Sequence, residues 1–352
     1  MEANVSHEEL QLAARNHGMP LEALRYPVTP VGLHYLLIHY DIPDIDPAAY
    51  RLRVDGLVDR PLELTLDDLR QLPSITRVLT MECAGNGRAL LEPRPASQPW
   101  LLEAVGTGEW RGVDVALLLR EAGLQDGAIE CVFGGADRGI EGGVEQRYER
   151  SLAVADAMDS GALLAYELNG EPLPPQHGFP VRLVVPGWYG MTNVKWLTAI
   201  TAVGTPFTGY QQTTAYRVCQ AEDDPGEPVT LIVPRALMIP PGIPDFFTRR
   251  RTLAPGPCTL KGRAWSGAAA IVGVDVSIDG GATWESATLG DEAQAPGRWT
   301  GWRYDWHATR GEYELCCRAR DATGAIQPFE PRWNRGGYVN NAVQRVPVQV
   351  AH

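Results

Sequence analysis

In the last third of the chain apolar and polar residues alternate strictly. Val272, Val274, Val276 and Ile278 are separated by Gly273, Asp275 and Ser277. A period of two puts one set on each face of a β-strand, so this stretch demands a sheet with one buried face. Asp279-Gly280-Gly281 follows and supplies the positive-φ residues of a hairpin turn, with the return strand expected from Thr283-Trp284. Tyr313, Leu315, Cys317 and Ala319 alternate with Glu314, Cys316, Arg318 and Arg320, and Val346, Val348 and Val350 repeat the pattern. Such a run of short strands reads as an immunoglobulin-like sandwich. The alternation sends Cys316 and Cys317 to opposite faces, one packed and one exposed.

Upstream of the alternating region, Asp223 to Pro257 is dense in proline, with Pro240, Pro241 and Pro244 inside Ile239-Pro-Pro-Gly-Ile-Pro-Asp245. Proline disfavours both helix and central strand, so this segment reads as a connection between domains. The division expected is 1–240 for a first domain and 241–352 for the sandwich. The first domain is mixed. Helical patterns occupy Leu66 to Leu72, Val113 to Ala122 with Gly123 as C-cap, and Leu152 to Met158. Apolar strands lie between them at Arg51 to Asp55, Ile129 to Phe133 and Val181 to Val185. The reading is α+β with a mostly β core.

Composition narrows the function. The formal charge is -12, and no basic run exceeds Arg249-Arg250-Arg251, so a nucleic-acid partner is not expected. No segment approaches the ~18 consecutive apolar residues of a membrane-spanning helix. Met1 to Leu10 is acidic and polar, without the basic and apolar regions of an export signal. The six cysteines form no C-x-x-C pair, which leaves a zinc ribbon, a thioredoxin motif and covalent haem attachment unsupported. A reduced, cytoplasmic protein is the expectation.

Two segments can carry chemistry. Val78 to Arg88 reads as a strand running into the loop Cys83-Ala-Gly-Asn-Gly-Arg88. Gly85 and Gly87 permit close approach of a bound group, and Arg88 adds a cation. Three roles are open to Cys83: a thiolate metal ligand, a nucleophile paired with a histidine, or a small buried residue. The second segment runs from His177-Gly-Phe-Pro-Val-Arg182 through Val-Val-Pro-Gly187 to Lys195-Trp196. His177, Arg182 and Lys195 could cradle a phosphate, or the segment could be a hairpin with a capped histidine.

Together the two segments resemble the molybdopterin domain of the sulfite oxidase family. Leu164-Ala-Tyr-Glu-Leu-Asn-Gly170 matches it as well, and Gly262 to Gly267, the Asp279-Gly-Gly hairpin and Trp299 to Trp306 look like the family's immunoglobulin-type dimerisation domain. The likeness extends from about Val28 to the C-terminus. It implies that Cys83 ligates molybdenum and that Arg88, Trp100, Tyr216 and Arg303 form the catalytic pocket, with Trp110 in the family's spacing from Trp100. His39, Asp137, His177, Arg182, Asn193 and Lys195 would hold the pterin. It further implies a molybdenum–molybdopterin cofactor, a small anionic substrate and a homodimer; no haem-domain sequence is read beside it, so the expectation is no haem and a separate electron acceptor such as a cytochrome. The activity implied is sulfite oxidation to sulfate; the alternative is reduction of an S-oxide or N-oxide on the same cofactor.

The chain departs from the family at one telling position. The family's Arg-Asn-His triplet is replaced by Leu37-Ile38-His39, so His39 matches but the pocket arginine is missing. Losing one charge-assisted contact weakens binding of a small dianion by ~1.5–3 kcal/mol. An Arg15-Asn16-His17 triplet lies upstream, either reaching the pocket by another route or lying on the surface by coincidence. Two rival readings, a Cys83–His177 nucleophilic enzyme and a non-enzymatic binding module, predict no molybdenum.

Overall fold

The computed structural model describes residues 5–291 and 295–351, so Met1 to Asn4 of the acidic N-terminal segment lie outside it. The first domain is built on two sheets. In one, the strands run in the order Leu62–Leu64, Leu52–Gly56, Leu197–Val203, Glu130–Glu141 and Val144–Ala153. Its Leu52–Gly56 and Leu197–Val203 pair is parallel, and the other pairs are antiparallel. In the other, Ser74–Glu82, Val105–Asp114, Leu163–Leu168 and Glu171–Pro172 follow one another, and Arg182–Val184 also pairs with Leu163–Leu168.

Helices close this core. Leu66–Gln71 begins at a capping box in which Thr65 and Asp68 exchange hydrogen bonds. Val115–Ala122 starts two residues later than the sequence pattern suggests, because Asp114 ends the preceding strand and caps the helix through Ala116 N–H. Gly123 terminates it in the left-handed region. Leu152 belongs to a strand, and the helix expected there is Val154–Asp159. Sequence reasoning passed over His7–Arg15, a helix announced by the Ser6/Glu9 capping box. Buried Glu9 ties it to Arg94 and to the Ser97 backbone N–H.

The second domain is a sandwich of a four-stranded and a six-stranded sheet. Leu260, Trp302, Val274, Val276, Leu315 and Val348 fill the space between them. The alternating strands fall at Ile271–Ser277, Gly311–Asp321 and Gln344–Val350. The return strand after the glycine turn comes later than expected, at Glu285–Ser286, because Asp279 holds Thr283 through backbone and hydroxyl within the turn. Cys316 and Cys317 do take opposite faces, but both are buried. Cys317 is in the sandwich core, and Cys316 lies opposite Ser277 and Arg345 in the sheet.

The proline-rich connection contains an unexpected strand. Arg235–Met238 is fully buried and pairs with Gly256–Trp265 at the edge of the four-stranded sheet, just ahead of the expected 240/241 division. Pro234 and Pro240 flank the strand, and an edge position tolerates them. This strand joins the domains. Leu237, Trp265 and Trp299 pack in one cluster with Met19, Ala84, Tyr189 and Tyr216 of the first domain. Within it Arg235 Nε pairs with Glu82 Oε1 at 2.8 Å, and Trp265 Nε1 donates to Glu82 Oε2 at 2.7 Å. Both charges are almost wholly buried, so removing either partner costs ~3–5 kcal/mol.

Candidate active site

Glu82 is the last residue of its strand, and the chain turns at Cys83 immediately after it. The second domain holds this turn. Val339 N–H donates to Ala84 O, Asn340 Nδ2 to Gly87 O at 2.7 Å, and Arg88 Nε to Gly336 O at 2.8 Å. The glycines serve these contacts. Gly87 has φ 90°, and a Cβ there would meet Asn340 at 2.9 Å. A Cβ on Gly85 would meet the Arg88 guanidinium at 2.6 Å. The loop is therefore open to its own arginine and to the sandwich.

Cys83 lies where two cavities meet. One is lined by Asp137, His177, Arg182, Lys195 and, unexpectedly, His34. Arg182 donates to the carbonyls of His177 (2.9 Å) and Asn193 (3.0 Å) and stacks on Trp110, its guanidinium carbon 5.1 Å from the ring centre. Trp110 thus supports Arg182 from behind. Lys195 Nζ donates to Leu37 O at 2.8 Å and Gln176 O at 3.2 Å. Asn193 borders the cavity, but its amide secures the Tyr189 carbonyl and Val185 N–H. It therefore shapes the loop from a position on the cavity wall, beside the other residues expected to hold the pterin.

The electrostatics of this cavity are one-sided. Burial pulls Lys195 down to about 7, aided by Arg182, and Arg182 itself to about 10. Burial likewise holds His34 near 4 and His177 near 2. The facing carboxyl, Asp137, is raised by burial to about 6, against the pull of Lys195. His34 Nε2, Arg182 Nε and Asp137 Oδ1 are buried without hydrogen-bond partners among the described residues. Desolvated bases with unused donors suit a bound anion, which would restore their charged forms. A pterin phosphate fits this donor set, and Cys83 offers sulfur to a soft metal beside it. Burial pushes the Cys83 thiol up, opposed by Arg88, by Gly85 N–H and by the Trp100 indole; a bound cation reverses that balance.

The second cavity, of 260 Å3, is lined by Cys83, Arg88, Trp100, His39, Tyr216 and Glu141, with Leu12, Leu37 and Ile140 among its apolar walls. Arg88 Nη1 donates to Gln98 O at 3.1 Å, and its guanidinium lies over Tyr338. Tyr216 has φ 51°, and burial keeps its hydroxyl protonated far above neutral pH. That hydroxyl is 3.5 Å from His39 Nδ1. His39 borders both cavities.

Arg303 is not brought here. It is exposed on the Thr300–Ala308 strand, where the alternation buries Trp302 and turns Arg303 outward, so its assignment to the pocket is corrected. Arg15 does not replace the missing arginine either. Its guanidinium reaches Tyr40 O and Asp41 on the surface. Asn16, however, is buried and links Gln98 Oε1 to Ile38 N–H, fixing two walls of the cavity. Sequence reasoning missed His34 and Glu141. Neither has a motif, and only strand register and loop packing deliver them to the site.

Paired sheets, a thiol at a strand end and a cradle of desolvated bases define a protein built to hold an anionic metal cofactor. Comparison with known proteins agrees. Residues 39–211 match the family described as oxidoreductase molybdopterin binding domain, and residues 247–351 match the Mo-co oxidoreductase dimerisation domain. The chain belongs to the sulfite oxidase family. It is 36% identical over 342 residues to mitochondrial sulfite oxidase of Mus musculus, covering 92% of this chain and 62% of that protein. Identity to sulfite oxidase of Gallus gallus is 36% over 338 residues, covering 90% and 72%. The sulfane dehydrogenase SoxCD of Paracoccus pantotrophus superposes with a TM-score of 0.83 at 26% identity, over 99% of this chain and 93% of that one.

Proposed function

We propose that this chain is a molybdopterin-dependent oxidoreductase that oxidises a small sulfur compound and passes the electrons to a separate acceptor such as a cytochrome. One observation carries the reading: Cys83 stands between a cavity lined with desolvated bases and a second one that opens beside Arg88 and Tyr216. The cofactor, when bound, supplies the two-electron oxygen-transfer chemistry that side chains cannot. Lys195, Arg182, His177 and His34 hold its anionic end, and Cys83 anchors the metal. Arg88 orients the oxygens of the substrate, and the Tyr216 hydroxyl, beside His39, can donate a hydrogen bond and relay a proton. The sandwich fixes the Cys83 loop from behind and is the surface through which two copies would pair.

Sulfite and sulfane sulfur, named in the relatives, are the substrates to try. Molybdenum and pterin are quantified first, and the loaded protein is then mixed with each compound while the metal signal is followed. Reduction of the metal by a sulfur compound is the expected result. A loaded protein that no sulfur compound reduces, but that an S-oxide or N-oxide reoxidises, would reverse the proposed direction.

A further inference from the structure

We propose that Glu141 is a specificity-determining residue that turns the substrate cavity against doubly charged anions, so that it takes a sulfur substrate carrying one negative charge or none. The inference rests on the reading of this cavity as the substrate side of a molybdenum site.

Glu141 closes the Glu130–Glu141 strand, and Gly142 and Gly143, both at positive φ, turn the chain into Val144–Ala153. The hairpin end brings Ile140 and Glu141 to the cavity wall shared with Cys83 and Arg88. Three groups converge on one carboxylate oxygen. Tyr40 Oη donates to Oε2 at 2.9 Å, Gln211 Nε2 donates at 2.6 Å, and His39 Nε2 lies 3.4 Å away. Gln211 is buried and Tyr40 nearly so, so the site invests two buried polar side chains in fixing this carboxylate. Burial alone would raise its pKa, but the contacts with His39, Tyr40 and Gln211 outweigh that and keep it ionised.

The cation that must oppose it is Arg88, and two of its donors are already engaged by the Gly336 and Gln98 carbonyls. No other lysine or arginine borders this cavity among the described residues, and Leu37 presents an apolar surface. Glu141 repels a dianion about twice as strongly as a monoanion, because Coulomb energy scales with the product of charges, and so offsets the doubled attraction that Arg88 offers it. Specificity is gained by such a repulsive element as much as by new attraction.

Glutamine at this position keeps the shape and can still accept from Tyr40 and Gln211 while removing the charge. The test uses the molybdenum-loaded enzyme and two unreactive probes, sulfate (dianion) and methanesulfonate (monoanion), with affinities measured calorimetrically at neutral pH. Wild type should bind sulfate no more tightly than methanesulfonate. Glu141→Gln should tighten sulfate by about tenfold and lower the sulfite KM, while Glu141→Asp should keep the wild-type order of affinities. A wild type that binds sulfate more tightly than methanesulfonate overturns the proposal whether or not the variants fold. So does a folded, loaded Glu141→Gln with unchanged sulfate affinity. Absence of molybdenum from the protein would instead defeat the underlying reading, so the two failures are distinguishable.

Discussion

The two cavities that meet at Cys83 treat charge in opposite ways. On the pterin side Arg182, His34 and His177 are buried and Lys195 is half-buried, facing Asp137 as the one carboxyl of that cavity among the described residues. On the substrate side Arg88 is matched by Glu141, and Leu37 stands where the family resemblance leads one to expect an arginine. The first arrangement destabilises the empty protein, since burying charge without a partner is costly, and makes sense as a cradle for a strongly anionic group. The second is close to balanced and is already satisfied by its own hydrogen bonds. One thiol therefore separates a site that waits for an anion from one that discriminates among substrates.

The junction itself is the first place to break this contrast. Cys83→Ser should lower turnover by more than ~100-fold, as loss of a metal-anchoring group does, while circular dichroism and the thermal midpoint stay near wild type. Next in size is the substrate side. Leu37→Arg adds the missing cation and should lower the KM for sulfite by up to ~100-fold, read by steady-state kinetics. An unchanged KM would show that charge does not limit sulfite binding there.

The pterin side can be probed by pH in the cofactor-free protein. His34 and His177 bind protons in the unfolded chain below pH 6.5, but in the fold only near 4 and 2. The unfolded state thus holds more protons, and stability falls as pH drops from 6.5 toward 4. Asp137 acts oppositely between 3.8 and about 6, where the fold retains its proton, so the stability it adds is lost as pH rises through that range. Denaturant unfolding of His177→Asn should show a shallower loss between pH 6.5 and 4 than wild type. The smallest effect belongs to Arg303→Ala, which lies outside both cavities. Its kinetics should match wild type and its stability change stay within about 0.5 kcal/mol.

Local patterns in the sequence mark the parts of the fold that local physics decides. The Val272–Ile278 alternation and the Asp114–Gly123 helix signals are satisfied within a few residues, and both elements appear close to their expected limits. The Arg235–Met238 strand is hidden by surrounding prolines, because its stability comes from a partner strand more than twenty residues away and from the buried pair with Glu82. The site divides in the same way. Cys83, Arg88, His177, Arg182 and Lys195 sit in contiguous segments that could be read as such. Glu141 and His34 reach it only through tertiary packing. The misplaced Arg303 shows the converse, since a resemblance in a strand says little about which face a residue takes when one step of register reverses it.

The cradle of bases beside Cys83 implies an anionic cofactor, and its presence can be measured directly. Protein purified from a molybdenum-replete host, analysed for metal by mass spectrometry and for pterin by fluorescence after oxidation, should contain one molybdenum and one pterin per chain. A folded protein with Cys83 intact that contains neither would contradict it.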